Sequence, residues 1–81
     1  MFVLLADRSI PGWSGVVGSE VFEKMEEAEV VMRRWARFGV DNHCTDPDNL
    51  WIASEDGQVL KVWDWRERVV VAVPASSGES A

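Results

Sequence analysis

The chain has 81 residues, a formal net charge of −6 and a sequence pI near 4.6. That length allows one domain with one small core, and the acidity disfavours direct binding to nucleic acid or to an anionic membrane surface, both of which draw affinity from Lys and Arg. Cys44 is the one cysteine, so an internal disulfide is excluded, and the opening MFVLLADRS has no basic leader and too few apolar residues to target or span; the expected setting is reduced and cytoplasmic.

In chain order, the run FVLLA at residues 2–6 has strand length and no polar interruption, as expected of a strand buried on both faces. Pro11 and Gly12 supply turn chemistry. GVVGSEVF can then form a second, weakly patterned strand to about Phe22, or a helix can begin at Ser19. Periodicity favours a helix over residues 23–38: Ala28, Val31, Met32, Trp35 and Phe38 share one face at 100° per residue. Gly39 stands at the C-terminal cap position. Glu23, Glu26, Glu27 and Glu29 precede Arg33, Arg34 and Arg37, an order that complements the helix dipole, and Glu29 with Arg33 forms an i,i+4 pair. Val30 falls on the polar side with no evident core role.

GVDNHCTDPDNL follows, dense in turn formers. His43, Cys44, Asp41, Asp46 and Asp48 are types that bind metals or move protons, but their spacing matches no zinc, EF-hand or nucleophile–base motif. The segment reads as a connector in which the Asn and Asp side chains make turns around Pro47. No catalytic residue, metal or cofactor is expected.

The C-terminal half is patterned as a meander. Asp56-Gly57 suits a two-residue hairpin loop, which pairs Glu55 with Gln58, Ala53 with Leu60 and Trp51 with Val62. A second tight turn at Arg66-Glu67 sets Trp65 opposite Arg68, Trp63 opposite Val70 and Val62 opposite Val71. One face then carries Trp51, Ala53, Leu60, Val62, Val69, Val71 and Val73, and is expected to lie against the helix. The other is mixed, with Ile52, Ser54, Val59, Lys61, Trp63, Trp65, Arg68, Val70 and Ala72. Since one helix cannot cover both sides of a sheet, the mixed face is expected to meet solvent or a partner unless residues 7–18 fold over it; the alternative is that Trp63 and Trp65, with Trp13, lid the small core, and a one-residue slip would bury them.

The resulting expectation is an α+β domain over residues 1–74: a mainly antiparallel sheet of about four to five strands, one helix on one face, order β-(β)-α-β-β-β, and a disordered tail over residues 75–81. The preferred function is a non-enzymatic, acidic protein-interaction module. Its partner-binding residues are Trp63, Trp65, Arg68, Lys61 and Ile52 on the sheet, a mixture of aromatic and cationic groups suited to an interface, together with Glu23, Glu26 and Glu27 on the helix.

In size and charge alone the chain is similar to the small acidic inhibitors that phages direct against nucleases, restriction systems and CRISPR complexes. This suggests a basic surface on a nucleic-acid-handling protein complex as the partner. Two alternatives differ in class: a homodimer or assembly protein in which the RVVVAV strand pairs with its own copy, and a small metal-binding or enzymatic domain centred on His43 and Cys44.

Overall fold

A computed structural model describes residues 1–40 and 46–74. Over these the chain is α+β, with one antiparallel five-stranded sheet and one helix. The elements are β1 (Phe2–Ile10), β2 (Trp13–Phe22), α1 (Met25–Phe38), β3 (Asn49–Ser54), β4 (Val59–Asp64) and β5 (Val69–Ala72), and the sheet order is β2-β1-β3-β4-β5. Asp41, His43, Cys44 and the expected tail over residues 75–81 lie outside the described residues.

Strands β1 and β2 form a hairpin longer than the apolar run alone implies. Ile10 and Trp13 face each other across Pro11-Gly12, and pairing continues to Phe2 opposite Phe22. The register shifts between Ala6 and Asp7; Val17 is the extra residue of this bulge and packs against the core. Since β2 runs to Phe22, a helix start at Ser19 is overturned. Helix α1 begins instead after Lys24, whose side chain makes no capping hydrogen bond, and ends where the Gly39 N–H donates to the Trp35 carbonyl at 2.9 Å.

At the β3–β4 turn the two-residue loop is corrected to a three-residue one. The Ser54 N–H donates to the Gln58 carbonyl at 2.8 Å and the Gly57 N–H to the Ser54 carbonyl at 2.9 Å. Gly57, at φ 93°, takes the left-handed conformation such loops assign to glycine. Ala53 consequently faces Val59 rather than Leu60, and a second register shift restores Trp51 opposite Val62. The β4–β5 pairs Val62 with Val71 and Trp63 with Val70 are as the sequence implies.

The core lies between α1 and one face of the sheet. Leu4, Ala6, Leu50 and Ile52 are buried beneath Ala28, Met32 and Trp35, while Phe2, Phe22, Trp63 and Val70 pack around them. This reverses the expected assignment of faces. The helix covers the side bearing Ile52, Lys61, Trp63 and Val70, and the apolar side bearing Trp51, Val62 and Val71 points away from it, because side chains alternate along each strand.

The physical reason is the crossover. β2 and β3 both run antiparallel to β1 from opposite sides, so they are parallel to each other and α1 is the connection between them. Connections of that kind have one hand in nearly all proteins. Chain direction and register therefore choose the covered face, whatever the apolarity of the other. Phe38 is a second correction: it shares the helix's apolar stripe but is 70% exposed at the helix end, with the Arg37 guanidinium 5.3 Å above its ring.

Close approach of helix and sheet depends on Gly18. A Cβ at that position would stand 2.7 Å from Val40 Cγ1 and 3.3 Å from the Trp35 ring. Gly18→Ala is expected to destabilise the fold by about 1 to 3 kcal/mol through overpacking, measured by urea unfolding against Gly15→Ala, whose nearest contact would be an ordinary 3.4 Å.

The β3–β4 turn generates a pH prediction. The Ser54 hydroxyl, and after it the Gln58 N–H, hold the exposed Asp56 carboxyl below its ordinary value of 3.8. A pKa depressed by folding contributes stability that is complete above the unfolded value and lost as pH falls through the folded one. Below about pH 3.8 the melting temperature of the native chain should therefore fall more steeply than that of Asp56→Ala.

Candidate functional site

The β4–β5 turn is built by Asp64. Its Oδ1 accepts the backbone N–H of Arg66 at 2.9 Å and of Glu67 at 3.1 Å, and its carbonyl accepts the Arg68 N–H at 2.7 Å. An aspartate closing a turn on its own following residues is a local, sequence-encoded device. The turn carries Arg68 at φ 58°, a left-handed conformation that costs a non-glycine residue roughly 1 kcal/mol or more.

Trp63 and Trp65 lie two residues apart on the same side of the strand, with ring centroids 6.2 Å apart and planes at 81°, the edge-to-face arrangement that aromatic quadrupoles favour. The Trp65 indole N–H donates to the Asp48 carbonyl at 2.8 Å. Residues 46–49 are themselves fastened to β1: the Asp48 N–H donates to the Asp7 carbonyl, Asn49 Nδ2 to Asp7 Oδ1, and Arg8 Nη1 to the Asp46 carbonyl. Trp65 is thus oriented by a chain of bonds that ends in the hairpin.

The helix supplies the opposite wall. Arg33, Ala36 and Arg37, at i, i+3 and i+4, face Trp63, Trp65 and Arg68 across an open cleft of about 550 Å³. Helix and β4 are joined just behind it, where Lys61 Nζ donates to Glu29 Oε2 and Arg33 reaches Glu29 Oε1 at 3.4 Å. Three arginines and two tryptophans therefore line one cleft in a protein whose total charge is −6; within it the Arg33 guanidinium is paired with Glu29 and that of Arg37 lies over the Phe38 ring. The lining offers hydrogen-bond donors and aromatic faces, which suit a planar or branched anion. Among the described residues its lining includes no carboxylate, imidazole, thiol or hydroxyl.

The residues expected to meet a partner are distributed unevenly. Trp63, Trp65 and Arg68 come together in the cleft. Ile52 is fully buried beneath the helix, which corrects its assignment to an interface, and Lys61 is committed to Glu29. Glu23, Glu26 and Glu27 stand exposed around the N-terminal end of α1, away from the arginine-bearing end.

Sequence reasoning missed Arg33 and Arg37 as cleft residues, assigning them only to the helix dipole and to the Glu29–Arg33 pair. Their i,i+4 spacing around small Ala36 was the available signal, since a small residue between two long cations leaves a recess. Among the described residues no group of three His, Cys, Asp or Glu is placed to hold a metal ion, and no helix is long and apolar enough to cross a membrane. Comparison with protein families, curated proteins and solved structures finds no match.

The two tryptophans differ in what they support. Trp63 packs against the core, whereas Trp65 is 40% exposed. Truncating Trp63 to Ala should cost about 3 kcal/mol, the low end for a buried aromatic, and Trp65→Ala distinctly less. Paired thermal melts test this, and equal losses would contradict the placement.

Proposed function

We propose that this chain is a non-enzymatic protein-interaction module whose arginine and tryptophan cleft grips an acidic segment of a partner protein. The observation that carries the reading is a single cleft lined by Arg33 and Arg37 from the helix, Arg68 from the β4–β5 turn, and Trp63 and Trp65. Guanidinium forks pair with carboxylates bidentately, and Trp and Arg are the types most enriched at interface hot spots.

The cleft's size fits a few side chains rather than a long strand, and a net charge of −6 opposes the approach of an extended polyanion such as nucleic acid. The unusual backbone of Arg68 supports the same reading. A conformation that glycine would adopt at lower cost is kept by a residue whose side chain completes the positive wall.

The inhibitor form of this reading assigns a second contact to Glu23, Glu26 and Glu27, which would face a basic surface of a nucleic-acid-handling protein complex. The exposure of all three around one end of the helix favours it, and charge reversal there would weaken such a complex without altering the cleft. Strand pairing through β5 is available as a route to self-assembly, since β5 is an edge of the sheet.

The cleft is tested by titrating Glu- and Asp-rich peptides against the native chain and following tryptophan fluorescence. Arg37→Glu and Arg68→Glu should each weaken binding by about tenfold or more, equivalent to about 1.4 kcal/mol, and added salt should weaken it further. Arg68→Gly should melt at the same temperature or higher while losing affinity, which separates a binding role from a folding one. Peptide affinity unchanged by these variants, or tighter binding of single-stranded oligonucleotides than of peptides, would overturn the proposal.

A further inference from the structure

The face of the sheet turned away from α1 has no cover among the described residues. Leu5, Trp51, Val62 and Val71 are successive partners across β1, β3, β4 and β5, and all lie on this outer face. Val3, paired with both Val21 and Ala53, begins a second apolar row beside them. Val21 is 58% exposed and Val71 38% at the two margins, Leu5, Trp51 and Val62 between them are half-buried, and the small Ala53 is buried among its neighbours. Soluble monomers rarely leave so continuous an apolar surface to water.

We infer that the outer face is the interface of a homodimer, in which two copies stack sheet against sheet. The area suffices. Five strands about 4.8 Å apart, six residues long at about 3.3 Å each, give a flat footprint of about 480 Å² per copy. The pair buries about 960 Å² before side-chain relief is counted, close to the roughly 1,000 Å² at which specific interfaces begin.

Charge also selects a second copy. Both apolar rows lack charged residues, and the carboxylates of this face, Asp7 and Asp64, sit in the row beyond them, opposite Asn49 and Val69. A two-fold axis lying between the sheets and running across the strands near Trp51 sends these rows to opposite ends of the dimer, so that arrangement brings an acidic chain onto its copy without setting Asp7 and Asp64 against their own counterparts. Aligned sheets pack about 10 Å apart, and each helix with its cleft then faces outward.

This mode differs from pairing through the β5 edge, and the two respond differently to substitution. Sedimentation equilibrium of the full chain should give twice the 9.1 kDa protomer mass. Val21→Lys on β2 and Val71→Lys on β5, at opposite edges of the same face, should each raise the dimer dissociation constant by about tenfold or more. Ala72→Lys, on the helix side of β5, should leave it unchanged. Salt should tighten the dimer by screening the net charge, the reverse of its effect on the cleft.

Ser19→Lys, in the row of Leu5, repeats the Val21 test without removing an apolar side chain, and circular dichroism checks that each variant is folded. A monomer at every concentration would overturn the inference. So would a dimer indifferent to Val21→Lys and Ser19→Lys but broken by Val71→Lys and Ala72→Lys, the pattern of edge pairing.

Discussion

One helix must serve a sheet with two apolar faces, and the crossover between β2 and β3 decides which it serves. β1 lies between those parallel strands, so α1 passes over β1, and Leu4 and Ala6 of that central strand are buried with Leu50 and Ile52 of β3. The small residues at the crossing, Ala6, Gly18 and Ala28, let the backbones approach and leave room for Trp35 and Met32 to fill the interior. Everything else is arranged around that choice: Glu29 reaches Lys61 on the covered face, Trp63 closes the margin of the core, and the opposite, apolar face has no helix over it among the described residues.

The same placement sorts the charge. The polarised helix carries its carboxylates at one end and Arg33 and Arg37 at the other, and the second group is held over the β4–β5 turn. A property that stabilises an isolated helix, cations near its C-terminus, thereby becomes one wall of a cleft. The wall is not a folding requirement, because the three arginines are exposed and surface charges of this kind contribute little to stability. This separation of roles lets the cleft vary while the core is kept.

Much of the fold was legible because its signals are local. The hairpin signal at Asp56-Gly57, the alternation along residues 59–72 and the 3.6-residue period of α1 each act within a few residues; the alternation places Trp63 opposite Val70, whereas Trp51 meets Val62 only because a register shift offsets the extra loop residue. The grouping of Trp63, Trp65 and Arg68 followed from that register. The covered face was not legible, because both faces of the meander are apolar enough to form a core and the choice lies in connection geometry rather than in side chains. Ile52 was misplaced for this reason alone. Arg33 and Arg37 escaped because a helix read by itself gives no indication of what stands opposite its flank.

The seam between β1 and β3 has a further implication, for the speed of folding. Every other strand pairing in the sheet joins neighbours in sequence through a short turn, but Phe2 pairs with Ser54 and Leu4 with Ile52, about fifty residues apart along the chain. Closing a loop of that length costs conformational entropy before any contact compensates it. The two-stranded hairpin and the three-stranded meander can form locally, and the sheet becomes continuous only when they meet along Leu4 and Ile52 beneath the helix. Topology therefore points to the joining of β1 and β3 as the slow step for this small domain, so substitutions at Leu4 and Ile52 are expected to alter folding rate as well as stability.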